Sequence, residues 1–229
     1  MTSGEEQPPA SKTARRLAVF DLDGTLTRHD TFLPFVGGLL LREPGRWWRI
    51  PLLLWPAVGY LTGRVDRGAL KGAVLRLLFR GLPRKRIADW AERHARRVIA
   101  AGMHEEGLRA WRAHQAAGDE LILLSASPDL YVPRIGAALG AAQVLCTPVL
   151  WKDGRLDGHL AGPNHRGAVK TQVLAALRAQ RPDMAVIAYG NSPADLDHML
   201  GCEQAVYVNG GEALRRAMPQ KNLRWVRWR

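Results

Sequence analysis

At 229 residues, 47% apolar and 24% charged, the chain is long enough for a core domain with an insertion, and its composition is that of a globular protein. The formal net charge of +12 is unevenly spread: between Arg42 and Arg97 fourteen Lys and Arg stand against four acids, which points to an anionic partner, whether membrane, nucleic acid or acidic substrate. Two cysteines, Cys146 and Cys202, lie far apart and outside any CxxC, which argues against a disulfide framework or a zinc site and for core residues in a reducing cytosol.

Residues 1–16, MTSGEEQPPASKTARR, lack an apolar run and read as a disordered tail rather than a signal peptide. Leu17, Ala18, Val19 and Phe20 then form a short apolar run expected as a buried parallel strand, which delivers Asp21 and Asp23 onto a Gly24-Thr25 turn. Period-2 geometry points both carboxylates the same way and turns Leu22 to the opposite face. Two carboxylates at a strand tip repel each other unless a cation or proton intervenes, so this arrangement asks for a metal.

The strand pattern then lapses until about Asp119. Phe32–Leu41 is an apolar segment with Gly37-Gly38, closed by a Pro44-Gly45 break. Trp47–Leu61, WWRIPLLLWPAVGYL, is too short, and too interrupted by Arg49, Pro51 and Pro56, for the roughly 20 apolar residues of a transmembrane helix. It fits either a buried helix or an interfacial segment flanked by arginines and tryptophans. Arg67–Phe79, Pro83–Ala101 and about His104–Ala117 have helical spacing, the last ending at Gly118. Residues 31–118 are therefore expected as a helical cap, inserted into an α/β core made of residues 17–30 and 119–229.

The strand pattern resumes with Leu121–Ser125, which ends in SASP, and Pro128 is expected to open a helix to Leu139. A hydroxyl at a strand tip before free N–H groups is either an N-cap or a phosphate site. Gln143–Cys146 reads as a strand, and Val149–Trp151 with Arg155–Leu160 as a hairpin around Asp153-Gly154. After Gly167 a helix carries Lys170 in its first turn, where a cation opposes the dipole, so Lys170 either points to solvent or has a partner. Met184–Tyr189 is a further buried strand, ending in Gly190-Asn191-Ser192-Pro193-Ala194-Asp195. Ala205–Val208 and Leu223–Trp228 complete the sheet, although the basic aromatic ending LRWVRWR equally suits a membrane-surface tail.

The string DLDGTLT, Asp21–Thr27, resembles the nucleophile motif of the haloacid dehalogenase-like phosphohydrolases. Ser125, Lys170 at its spacing from Gly167, and the Gly190–Asp195 stretch follow in the order of that family's later motifs. A helical insertion just after the first motif is similar to the phosphoserine phosphatase-like subgroup. The resemblance implies a Rossmann-like parallel sheet with a helical cap, and a phosphomonoester hydrolase working with one Mg²⁺ through an aspartyl-phosphate. Asp21 would be the nucleophile, and Asp23 the acid for the leaving oxygen and then the base for water. Ser125, the Ala126 N–H and Lys170 would hold the phosphoryl group. The metal set would be Asp21, the Asp23 backbone carbonyl and Asn191, with Asp195 taking a larger part if Asn191 does not serve. Asn191 stands where the family usually has Asp, so one negative charge is missing and weaker metal binding is expected.

Asp30 stands where phosphoserine phosphatases carry a substrate-reading Glu, and is one methylene shorter. The basic, Trp-rich cap also resembles the bacterial phosphatidylglycerophosphate phosphatases. A lipid-linked or membrane-associated phosphomonoester therefore ranks first as substrate, and a soluble phosphoserine-like, sugar or polyol phosphate second. A non-catalytic basic protein binding membrane or nucleic acid on the same scaffold ranks third, because Asp21, Asp23, Ser125 and Lys170 are all intact. The resulting expectation is a cytoplasmic enzyme, peripheral at an anionic membrane face, with no nucleic-acid partner.

Overall fold

Four apolar residues in a row form a strand when both faces are covered, and Leu17–Phe20 (β1) is buried at every position. The later strands are Glu120–Pro128 (β2), Gln143–Thr147 (β3), Val149–Lys152 (β4), Arg155–Leu160 (β5), Val186–Gly190 (β6), Gln204–Val208 (β7) and Leu223–Val226 (β8). In this computed structural model, which describes residues 15–217 and 222–229, six strands pair in parallel in the order β3-β2-β1-β6-β7-β8. Most of the segment read as a disordered tail lies outside the described residues. The order reverses at β1, with β2 on one side and β6 on the other, and an open α/β sheet leaves its ligand crevice at the carboxyl ends there. The expected Rossmann-like parallel sheet is borne out.

Between β1 and β2 run Phe32–Leu40 (α1), a 3-10 segment Pro44–Leu53, Leu54–Leu61 (α2), Arg67–Val74 (α3), Arg84–Arg97 (α4) and Glu105–Ala116 (α5). α3 and α4 each run on into a π-helical turn, Leu75–Phe79 and Val98–Gly102. Phe35, Leu39, Leu75, Leu78, Phe79, Ile87 and Trp90 of the insertion are buried in one apolar cluster with Phe20, Leu123 and Ile187 of the sheet. A Cβ on Gly38 would lie 2.1 Å from the Trp90 ring, so α1 and α4 approach this closely only because that residue is glycine. The β4–β5 hairpin turns on Asp153 and Gly154, both at positive φ. The insertion is tied to this hairpin, since Gly81 N donates to Leu156 O at 2.8 Å and Arg84 N to Gly154 O at 2.8 Å.

After β2 come Val132–Leu139 (α6), Ala168–Ala179 (α7), Leu196–Leu200 (α8) and Glu212–Ala217 (α9). Three readings of the sequence need comment. Pro128 does not open a helix: it ends β2, opposite Thr147, and α6 starts four residues later with Pro133 in its first turn. Trp47–Leu61 is not a buried helix either, for no residue of Pro44–Leu61 is buried, and Trp48, Trp55 and Leu61 are 67%, 85% and 81% exposed. No helix among the described residues is long and apolar enough to cross a membrane. The basic aromatic ending joins the sheet as β8, and Trp228 stacks on Tyr189 at 6.1 Å.

Candidate active site

Asp21 follows β1 directly, and its N–H donates to Tyr189 O at 3.0 Å, which continues the pairing with β6 and fixes the carboxylate at the strand tip. The turn that follows depends on Gly24, at φ 82°: a Cβ there would fall 2.1 Å from Asn191 Nδ2. The missing side chain lets the Asn191 amide lie over the turn. Thr25 Oγ1 stands 3.2 Å from Asp21 Oδ2 and 3.4 Å from Asn191 Oδ1, so one hydroxyl bridges the two oxygens. Lys170, in the first turn of α7, does not point to solvent. Its Nζ donates to Asp21 Oδ1 at 2.6 Å and to Asp195 Oδ1 at 2.7 Å, and these carboxylates compensate the unfavourable dipole position. The other Asp195 oxygen accepts from Ser192 N at 3.0 Å and Ser192 Oγ at 2.9 Å, so Asp195 is committed to orienting Lys170.

Asp23 lines the same cavity, about 540 Å³ in volume, but has different partners. Its Oδ1 accepts from Thr31 N at 2.7 Å and Thr31 Oγ1 at 2.6 Å, and its Oδ2 from Ser127 Oγ at 2.7 Å. The Thr31 hydroxyl shares a further hydrogen bond with Tyr131 OH at 2.9 Å. Ser125 is fully buried, and its Oγ donates to Asp23 Oδ2 at 3.4 Å while accepting from Ser127 N at 3.0 Å. Ala126 and Ser127 line the cavity beside it. Asp30 is at the cavity edge, where its Oδ1 accepts from Phe32 N at 2.9 Å and Leu33 N at 3.0 Å, the first N–H groups of α1. That carboxylate works as a helix cap.

Thr31, Ser127, Tyr131 and the insertion's Lys71 were not singled out from the sequence. Ser127 had a signal, because period 2 from Ser125 places both hydroxyls on one face. Lys71 had none: its Nζ reaches the Ala126 carbonyl, and Asn164 Oδ1 at 3.1 Å, only through the docking of α3 on the core.

Burial pushes the Asp21 carboxyl up to about 7 against the pull of Lys170, and Asp195 and Asp23 add to the rise. Burial raises Asp23 as well, opposed by the hydrogen bonds from Ser127 and Thr31. Lys170 is held above its ordinary value, because Asp21 and Asp195 outweigh its burial. Asp195 is held below its own, since Lys170 outweighs burial there too. Asp21 and Asp195 therefore share one buried ammonium, while Asp23 beside them is held by hydroxyls and a backbone N–H. Among the described residues no three His, Cys, Asp or Glu side chains converge as a metal cluster. A cation would rely on an amide and a main-chain carbonyl beside Asp21, and the available donors are all the hard oxygens that Mg²⁺ favours.

Residues 18–199 match the haloacid dehalogenase-like hydrolase family. The chain belongs to that family. Protein CicA of Caulobacter vibrioides is 32% identical over 194 residues, 83% of this chain and 85% of that protein. A crystal structure of a protein with unknown function from Bordetella pertussis Tohama I superposes with a TM-score of 0.76 at 24% identity, covering 93% of this chain and 99% of the other. A substrate-bound phosphoserine phosphatase structure gives 0.64 at 15% identity, with 93% of each chain covered. These two structures share the fold of this haloacid dehalogenase-like hydrolase.

Proposed function

We propose that the protein is a Mg²⁺-dependent phosphomonoester hydrolase that works through an aspartyl-phosphate on Asp21. The observation that carries this reading is the pairing of Asp21 and Lys170 at 2.6 Å, beside a second acid, Asp23, that opens on the same cavity. The Asp21 carboxylate attacks phosphorus; the phosphorus–oxygen ester bond breaks; the departing oxygen takes a proton from Asp23. Burial favours the protonated Asp23 that this step needs. Asp23, now a carboxylate, takes a proton from water, which attacks phosphorus and returns Asp21 with free phosphate. Lys170 and the end of β2, where Ala126 and Ser127 line the cavity and Ser125 Oγ donates to Asp23 behind them, balance the spread phosphoryl charge. Asp21, the Asp23 carbonyl and Asn191 would hold Mg²⁺, with Asp195 steering Lys170. The bound ion would offset repulsion between the nucleophile and the phosphate.

The favoured substrate is a lipid-linked or membrane-associated phosphomonoester. α2 supports this: Tyr60 lines the cavity while Leu54, Trp55, Val58 and Leu61 of the same helix are exposed apolar side chains. Asp30 is engaged at the start of α1, which disfavours a phosphoserine-like head group. The deciding experiment is a turnover screen over soluble phosphomonoesters and vesicle-borne lipid phosphates, with Mg²⁺ and with EDTA. Mg²⁺-dependent phosphate release that is lost in Asp21→Asn is expected. Release unaffected by EDTA, or retained by Asp21→Asn, would contradict the mechanism.

A further inference from the structure

A second cavity of about 720 Å³ adjoins the first and shares Tyr60, Arg67, Asn164 and Arg166 with it. Arg67 is held by its Nε, which donates to Tyr60 OH at 2.9 Å, so the guanidinium is oriented from the cap side. Arg166 comes from the core, in the loop before α7, where its N–H donates to Asn164 O at 2.7 Å. Lys71 lines the first cavity beside Arg67 and Arg166, reaching it from α3 with its Nζ anchored on the Ala126 carbonyl and Asn164 Oδ1. Among the described residues none of these three cations has an ion-pair partner within 4.0 Å.

The acids that line these cavities are otherwise engaged. Asp21 and Asp195 hold Lys170, and Asp23 takes the Thr31 and Ser127 hydroxyls. Asp30 serves the start of α1 and Asp66 the start of α3, where its Oδ1 accepts from Ala69 N at 2.8 Å. Burial pulls the Lys71 pKa down to about 8; Asp23 and Asp30 oppose that fall, and Arg166 and Arg67 lie near enough to add to it. Arg67, Arg166 and Lys71 have no direct ion-pair partner among the described residues, and a bound anion would relieve the repulsion among them. The phosphoryl group in transfer already has Lys170 and the Ser125 strand end.

We propose that Lys71, Arg67 and Arg166 form a second anion site, which takes a further phosphate group of the same substrate. The substrate would thus be a phosphomonoester with a second phosphate along its length, either a lipid headgroup diester or one end of a soluble bisphosphate. The guanidinium fork suits the oxygens of either. This inference rests on the phosphatase reading above.

The test is calorimetric binding of alkane bisphosphonates of increasing length, each against the alkylphosphonate of the same length, in the presence of Mg²⁺. At the best length the bisphosphonate should bind at least about tenfold more tightly. Arg67→Gln and Arg166→Gln should each lose most of that advantage, while Arg96→Gln, an exposed change on α4, should keep it and so exclude general charge attraction. Equal affinity at every length, or an advantage that survives both cavity substitutions, overturns the second site and leaves the phosphatase reading standing. If no phosphonate binds at all, the phosphatase reading fails and the second site with it. Turnover of a soluble alkanediol bisphosphate against a vesicle lipid bearing both a diester and a terminal monoester then distinguishes the sources. A KM lowered by the second phosphate in either arm supports the site.

Discussion

Asn191 stands where the sequence resemblance calls for Asp, and its placement makes that difference testable. Its amide lies over Gly24, with Oδ1 sharing the Thr25 hydroxyl with Asp21 Oδ2. Asn191→Asp would put a charged oxygen at that point, so the Mg²⁺ concentration for half-maximal activity should fall by about tenfold, as read from a metal titration of turnover. An unchanged requirement would remove Asn191 from the metal set. The motif residues were legible because local rules place them: a strand tip, a Gly turn and a helix start. The grip on Asp23 was not legible, since Thr31 meets it across 8 residues of chain and is itself held by Tyr131, 100 residues further on. Asp30 shows the opposite case, a position that matches a substrate-reading residue while its oxygen serves the first N–H groups of α1.

Among the elements, the exposed segment from Pro44 to the end of α2 is the one the sequence left open. An apolar run reads the same whether a helix or a bilayer covers it, and only tertiary packing shows that Trp47, Trp48 and Trp55 are uncovered. Arg49 lies over the Trp48 ring at 5.1 Å, and near an anionic leaflet each Lys or Arg is worth about 1 kcal/mol. Co-sedimentation with anionic vesicles is therefore expected, weakening as salt is raised and weakening again when the three tryptophans are changed to Ala. Equal binding to neutral vesicles would remove the electrostatic part, and no binding would favour a soluble substrate. A second expectation concerns α4. His94 is buried against the Phe35, Trp90 and Tyr131 rings, its Nε2 has no partner, and burial pushes its pKa from 6.5 down to about 4. The unfolded chain binds the proton more readily, so this histidine makes stability rise with pH between about 4 and 6.5 and fall as pH drops through that window. Over the whole window the contribution is about 3 kcal/mol. Urea unfolding at neutral and mildly acid pH should show that loss in the wild type and much less of it in His94→Gln. An identical pH dependence in both would contradict it.

For the whole molecule, function follows from where the strand order reverses. β1 sits between β2 and β6, so Asp21, Ser125 and Asn191, far apart in the chain, end at one crevice. The parallel sheet was readable from buried apolar runs separated by helices. How the insertion sits over it was not, because that depends on contacts such as the β4–β5 hairpin against residues 81–84, which leave no periodic mark. That docking brings the basic insertion to the catalytic cavity through Arg67 and Lys71. The central claim is a phosphoryl group carried covalently by Asp21, and the most direct measurement is chemical trapping. Enzyme turning over a phosphomonoester is quenched with borohydride, which reduces an aspartyl-phosphate to homoserine, and the peptide containing Asp21–Thr27 is sequenced by mass spectrometry. Homoserine at position 21, absent without substrate, is the expected result. An enzyme that turns over but leaves Asp21 unmodified, or is modified at another carboxylate instead, would contradict it.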